Sequence, residues 1–249
     1  MEGRAGLAVQ FVGAGDAFGS GGRFQACISL RASTTHVLLD CGATSLVAMK
    51  RLGVDPGSVD AVMVTHLHGD HFGGLPFLIL DGQFSRRERP LTVVGPPGTR
   101  DRVLQAMDVF FPGSSAVPRR FEMHFLELPA RRETGIGALA VTAFEVPHPS
   151  GAPAYALRVR LADRTIGYSG DGGWSEALVD AADGADLFIC EAYSFDKPIR
   201  FHLSYAELMA NRDRLRCRQL VLTHLGADML AHADDTDVDA AHDGLTLSI

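Results

Sequence analysis

The stretch Val64–Leu75, VTHLHGDHFGGL, places three histidines and one aspartate within six residues: His66, His68, Asp70 and His71. Imidazoles and carboxylates are the side chains that hold divalent ions such as zinc, and their spacing decides which backbone could use them. On a helix, His66 and His68 would point to nearly opposite sides, whereas in an extended segment leaving a strand their rings can converge on one ion. This is the reverse of the HExxH arrangement, whose i, i+4 pair requires a helix. Gly69 then permits a sharp turn, after which Asp70 and His71 face a different point. The pattern reads as two adjacent metal positions, one fed by His66 and His68 and the other by Asp70 and His71. A polar loop with Asp70 as a helix cap would explain each residue singly, but not the HxHxDH spacing behind an apolar strand.

Such a loop needs a rigid frame, and the chain supplies alternating short strands and helices. Strands are expected near LAVQFVG, QACISLR and HVLLD, then a helix near TSLVAMKRLG and the strand VDAVMVT, which delivers the histidine loop. A strand at LTVVG and a helix over TRDRVLQAMDVFF follow. The second half repeats the texture, with strands near EMHFLEL, ALAVTAFEV, AYALRVR, RTIGYSG, ADLFICEA and QLVLTH, and helices near WSEALVDAA and after FHLS. Strands of alternating and of continuous apolar character, interleaved with helices, imply two packed sheets covered by helices. The Asp-rich tail AHADDTDVDAAHDGLTLSI reads as a solvated, partly ordered end.

At 249 residues and 46% hydrophobic content, the chain can bury a large core as one domain spanning 1–249. No window approaches the length of a membrane helix, and the N-terminus lacks the form of a signal peptide, so a cytoplasmic protein is expected. The four cysteines form no CxxC pair, which leaves reduced thiols as the expectation. A net charge of −7 argues against a protein that coats long nucleic acid. The clusters SRRERP, PRRF, ARRE and NRDRLRCR read as solvated surface arginines.

The HxHxDH motif of His66, His68, Asp70 and His71 resembles that of the metallo-β-lactamase-fold hydrolases. The resemblance extends along nearly the whole chain and implies a four-layer αββα sandwich with the metals at one edge between the sheets. It implies a further histidine for the first metal, His148 in FEVPHPSG, a bridging acid, Asp171 in IGYSGDGG, and a last histidine, His224 in LVLTHLG. Asp40 in LLDCG becomes a supporting residue for the histidine loop. His36, His124, His232 and His242 fit no such constellation. Five histidines and two carboxylates suit two divalent ions, zinc first, with manganese or iron also acceptable. Two ions ~3.5 to 4 Å apart can bridge a water and lower its pKa toward ~7, which predicts hydrolysis of an ester, amide or phosphodiester.

Within the superfamily, a lactam substrate is not expected, because the second position carries Asp70 and no signal peptide is apparent. GAGDAFGSGGR, Gly13 to Arg23, is similar to the glycine-rich turn of the branch containing the tRNA 3′-processing endonucleases (ribonuclease Z) and related cyclic phosphodiesterases. Phe18 breaks the GxGxxG spacing of a dinucleotide fingerprint. The segments DLFICEAYSF and FHLS resemble that branch's HEAT and HST elements, with Cys190 in place of the first histidine. The resemblance thus makes His202 a general acid oriented by Glu191, and places both with Asp70 in the catalytic set. His202 also precedes Ser204 and Glu207 at capping-box spacing, which would mark only a helix start. Only 22 residues separate His148 from Asp171, too few for the basic arm of the tRNA-processing enzymes. A small phosphodiester, such as a cyclic nucleotide, is the leading substrate. A lactone, thioester or aryl sulfate on the same site is the alternative, and a non-hydrolytic iron protein a third. Homodimers are common in the branch, so a dimer is expected by analogy.

Overall fold

The computed structural model describes residues 6–249, so a domain boundary at residue 1 lies outside the described residues. The chain opens with an antiparallel meander of β1 (Ala8–Gly13), β2 (Cys27–Ala32) and β3 (Thr35–Leu39), followed by α1 (Ser45–Arg51). It continues through β4 (Ala61–Met63), the single-turn α2 (Gly69–Phe72), α3 (Leu75–Phe84), β5 (Leu91–Gly95), α4 (Thr99–Phe110) and β6 (Met123–Glu127). A second unit contains β7 (Thr134–Ile136), β8 (Leu139–Val146), β9 (Ala154–Leu161), β10 (Arg164–Tyr168), α5 (Glu176–Ala182), β11 (Leu187–Glu191), α6 (Tyr205–Ala210) and β12 (Gln219–Thr223). The chain ends with α7 (Ala227–Leu230) and β13 (Thr246–Ser248).

Two sheets result, ordered β13-β1-β2-β3-β4-β5-β6 and β12-β11-β10-β9-β8-β7. Their facing sides bury Phe11, Leu39, Met63, Leu157, Ile166 and Ile189 in one apolar layer, each worth about 1.5–3 kcal/mol of transfer free energy. The outer side of the first sheet packs under α1, α3 and α4 through Met49, Ile79, Val103 and Met107. The outer side of the second packs under α5 and α6 through Leu178, Ala181 and Leu208. This is the expected αββα order, with helices on both outer faces.

Strand direction places the chemistry. β3 to β6 run parallel, as do β10 to β12, while β8 and β10 both lie antiparallel to β9. The carboxyl ends of β1, β3, β4, β8, β10, β11 and β12 therefore emerge at one edge of the sandwich, where αβ sheets place their ligands.

Several elements differ from the sequence expectation, among them β7, α7, α3 and β13. The helix α3 was not expected between the histidine loop and β5, because LPFLILDGQF is apolar almost throughout and shows no 3.6-residue stripe. The tail has many solvent-exposed residues, as expected, but is more than a partly ordered end. β13 pairs with β1, Ala241 is fully buried, and the Asp243 carboxylate accepts the Ala14 and Phe24 amides at 3.0 and 2.8 Å. Its acidic composition concealed one aspartate that satisfies two backbone donors of the glycine-rich turn. Among the described residues all four cysteines are free, and no helix is long and apolar enough to cross a membrane.

Candidate metal centre

β4 stops at Met63, and the chain passes through Val64 and Thr65 outside any helix or strand. His68 keeps β geometry (φ −85°, ψ 150°) and caps α2, so His66 and His68 lie on non-helical backbone while Asp70 and His71 ride the helical turn. Two glycines seat this loop on the LLDCG segment. A Cβ on Gly74 would lie 2.2 Å from the Gly42 carbonyl oxygen, and one on Gly42 would lie 2.2 Å from that of Asp70. No side chain fits at either position.

Asp40 anchors the loop from the end of β3. It is fully buried and left-handed (φ 59°), a conformation costing roughly 1–2 kcal/mol outside glycine. Its carboxylate accepts the Thr65 amide at 2.7 Å, the Thr65 hydroxyl at 2.9 Å, His71 Nδ1 at 2.7 Å and the Tyr168 hydroxyl at 2.9 Å. A carboxylate only accepts, so His71 donates from Nδ1 and turns Nε2 toward the cluster. His148 is oriented in the same way, its Nδ1 donating to the Phe201 carbonyl at 3.0 Å.

Two groups of donors result. His66 Nε2 and His148 Nε2 lie 3.2 and 3.0 Å from His68 Nδ1. Ligand nitrogens about 2.0–2.1 Å from a tetrahedral ion are separated by about 3.3 Å, so the spacing fits a shared cation. In the second group, His71 Nε2 is 3.2 Å from both Asp70 Oδ2 and Asp171 Oδ1, and His224 Nε2 is 3.3 Å from Asp70 Oδ2 and 3.4 Å from Asp171 Oδ2. Asp171 Oδ2 also reaches within 3.9 Å of His66 Nε2, so this one carboxylate touches both groups.

The electrostatics ask for a cation. Burial and the neighbouring imidazoles hold His66 well below the ordinary histidine range, which keeps its lone pair free. Burial alone would also lower His71, but the carboxylates of Asp171, Asp70 and Asp40 outweigh it and push His71 well up. His224 is pushed up to about 9, with Asp171 and Asp70 overcoming burial. Burial opposes ionisation of Asp70 and Asp171, yet His71 and His224 hold both below the usual carboxylate range. His71 Nε2 and Asp171 Oδ1 nevertheless have no hydrogen-bond partner although fully enclosed. Orphaned buried polar atoms facing each other at 3.2 Å fit a site for a positive ion.

Beside this cluster, His202 Nδ1 donates to Glu191 Oε2 at 2.9 Å and lies 4.0 Å from Asp171 Oδ2. Burial and the Asp171 charge push Glu191 up, while Glu191 raises His202 against the effect of burial. The Gly172 amide also donates to Glu191, which favours the carboxylate form and leaves the pair's proton on His202. Ser204 caps α6 through the Glu207 amide at 3.2 Å, so the capping box and the His202–Glu191 pair coexist. All nine site residues named from the sequence, with Asp40, thus lie at one edge. His36 does not: it is buried against Ser29 and Ser58.

Three participants were not read from the sequence. Thr65 and Tyr168 complete the Asp40 network, and Tyr193 stacks on His202 with ring centroids 4.7 Å apart. Thr65 and Tyr168 adjoin the quoted motifs, immediately before His66 and three residues before Asp171, but a hydroxyl beside a motif carries no signal of its partner. Three of the left-handed non-glycine residues, Asp40, Phe201 and His224, also fall here, as expected where strain is held by surrounding contacts.

Comparison with known proteins agrees with this geometry. The family description Anti-Pycsar protein Apyc1 matches residues 7–242. A ribonuclease Z of Agathobacter rectalis is 27% identical over 86% of this chain and 85% of its own length. A Mycobacterium leprae protein, Uncharacterized protein ML1173, is 33% identical over 77% of this chain and 68% of its own. The crystal structure of human tRNase Z, short form, superposes with a TM-score of 0.81 at 25% identity, covering 97% of this chain and 99% of that one. The chain belongs to the Anti-Pycsar protein Apyc1 family, and through it to the metallo-hydrolases of the metallo-β-lactamase fold on the ribonuclease Z-like branch.

Proposed function

We propose that this metal-dependent hydrolase is a phosphodiesterase that holds two divalent ions, zinc first, and cleaves a small phosphodiester such as a cyclic nucleotide. His66, His68 and His148 would hold one ion, Asp70, His71 and His224 the other, and Asp171 would reach both. When bound, such a pair supplies Lewis-acid stabilisation of phosphoryl oxygens and activation of water near neutral pH.

The observation that carries the choice of reaction is the Glu191–His202 pair. Glu191, seated by the Gly172 amide and by Ser169 Oγ on its own amide, fixes His202 through Nδ1. The opposite nitrogen is then free to hand a proton to a leaving alkoxide. The His202 side chain is 20% exposed while Glu191 and Asp171 are almost fully enclosed, so substrate can reach the acid but not its orienting partner. The Glu191 carboxylate keeps His202 protonated above the ordinary histidine range, as a general acid working near neutral pH requires.

A small substrate is favoured over long RNA, although relatives carry the names ribonuclease Z and tRNase Z. The interval from His148 to Asp171 is occupied by β9 and β10, leaving no extended arm, and the chain's net charge is −7, the wrong sign for binding many phosphates. Free cysteines support a reducing, cytoplasmic setting. The test is a panel under matched metal loading: bis-p-nitrophenyl phosphate, 3′,5′- and 2′,3′-cyclic nucleotides and precursor tRNA, beside a lactone, a thioester and an aryl sulfate. The expected outcome is turnover of the phosphodiesters with the cyclic nucleotides highest in kcat/KM. Highest turnover on a lactone, thioester or aryl sulfate would overturn the reading, and preference for precursor tRNA would overturn the small-substrate part of it.

A further inference from the structure

Tyr193 sits in the site with no task assigned to it by the metals or by the acid. The acid, however, needs more than a partner for one nitrogen. The hydrogen bond to Glu191 holds His202 Nδ1, but a single hydrogen bond leaves the imidazole plane free to tilt about that point. Tilt swings the opposite nitrogen, the one that has to meet the leaving oxygen. A general acid acts only within hydrogen-bond reach of its acceptor, and a misplacement of about 1 Å can cost on the order of a hundred-fold in rate.

The chain places Tyr193 where it removes that freedom. Beyond the end of β11 the backbone runs beside the segment leading into α6: the Tyr193 amide donates to the Leu203 carbonyl at 2.8 Å, Ser194 bridges to Ser204, and the Tyr205 amide donates to the Ser194 carbonyl at 2.8 Å. This short ladder sets Tyr193 beside His202. From the other side, the Gly226 amide donates to the Tyr193 carbonyl at 3.0 Å. A Cβ on Gly226 would lie 2.6 Å from that carbonyl oxygen and 3.3 Å from the Tyr193 ring, so the glycine leaves the ring its seat. The half-buried ring then stacks on His202 with centroids 4.7 Å apart and planes inclined by 29°. The other rings around His202 hold it less closely. His148 meets it edge-on at 5.1 Å and 73°, and His224 lies parallel to it but 5.9 Å away.

We infer that Tyr193 is a positioning residue for the general acid: its ring face holds the plane of the His202 imidazole, so that the free nitrogen stays aimed at the leaving oxygen. Glu191 decides which nitrogen is free, and Tyr193 fixes the tilt of the ring that carries it. The contact is made by the aromatic ring, in the offset stacked arrangement that such pairs favour, and not by the phenol hydroxyl. Tyr193 therefore acts through His202 alone. The inference rests on His202 being the acid and goes beyond it by dividing the aiming of that acid between two residues.

The test is a double-mutant cycle on the metal-loaded full chain, with Tyr193→Phe, Tyr193→Leu, His202→Ala, and Tyr193→Leu combined with His202→Ala. Each variant is checked for the parent's metal content and circular dichroism melting, with Tyr193→Met replacing Tyr193→Leu where the latter fails either check. The substrates are bis-p-nitrophenyl phosphate and aryl phosphodiesters with more basic leaving groups. Tyr193→Phe keeps the ring and is expected within about two-fold of the parent. Tyr193→Leu is expected to lower kcat about ten-fold, equal to about 1.4 kcal/mol of barrier, with KM within about two-fold of the parent. That loss should grow as the leaving phenol becomes more basic, because protonation of the leaving oxygen then matters more. In the His202→Ala background the same substitution is expected to cost nothing further, as for two residues that act through one step. Full additivity of the two losses would overturn the inference. So would parental kcat in Tyr193→Leu, or a Tyr193→Phe as slow as Tyr193→Leu, which would give the role to the hydroxyl. If His202→Ala itself keeps parental turnover, the assignment of the acid fails and takes the inference with it; if His202→Ala is slow and Tyr193→Leu is not, only the inference fails.

Discussion

His202 and Glu191 sit side by side with the His and Asp cluster, yet they answer to different physics. The cluster's donors are ordered by burial and mutual charge, whereas His202 keeps one-fifth of its side chain exposed and takes its orientation from one carboxylate. Removing the ring should therefore spare metal and cost chemistry: His202→Ala is expected to keep the metal content of the parent and lose about a hundred-fold or more in kcat on bis-p-nitrophenyl phosphate. Unchanged turnover would remove His202 from the mechanism. The pH profile supplies a readout that mere folding damage would not move. Glu191 raises the His202 pKa, so the acid form persists above the ordinary range and the rate falls as pH rises through that raised value. Glu191→Gln removes the stabilising charge, so the alkaline limb of kcat is expected to move to lower pH. A limb that stays in place would show that another group titrates there.

At the scale of elements, the histidine loop is held by contacts between segments more than by its own geometry. Tyr168 ends β10 on the second sheet and donates across to Asp40 at the end of β3 on the first, so one hydroxyl ties the segment leading into Asp171 to the carboxylate that aims His71. Tyr168→Phe removes the donor and keeps the ring. In the proposed assignment it should weaken the ion held by Asp70, His71, Asp171 and His224 by about ten- to a hundred-fold in a metal titration, the usual cost of losing such support, while the ion of His66, His68 and His148 is bound as before. Equal weakening of both would reduce Tyr168 to a packing role. The same elements show what could be read from the chain. The HxHxDH spacing required non-helical backbone at His66 and His68 and a change of direction at Gly69; in the structure both histidines lie outside any helix, His68 is extended, and Gly69 begins α2, because these needs are local. α3 escaped notice because an apolar run without period does not distinguish helix from strand. β13 escaped because its pairing with β1 joins residues more than two hundred positions apart. Tyr168 and Thr65 were illegible for the same reason: a hydrogen bond to Asp40 is a property of the folded arrangement.

Across the whole molecule, the site is a seam. His66, His68, Asp70 and His71 come from the first sheet, and His148, Asp171, Glu191 and His224 from the second. Parallel strands of both sheets deliver their carboxyl ends to the same edge, so the layered core that makes the protein fold also fixes the distances between donors. Asp171 alone spans the two groups, at 3.4 Å from His224 and 3.9 Å from His66, and on that residue rests the proposal of two ions rather than one. The most direct measurement counts ions per chain by elemental mass spectrometry in fractions assayed for bis-p-nitrophenyl phosphate hydrolysis while metal is withdrawn by chelator and restored. The expected result is two divalent ions per chain at full activity, with hydrolysis lost on withdrawal and regained as the second ion returns. Full activity with one ion per chain, or hydrolysis that survives in metal-free protein, would contradict it.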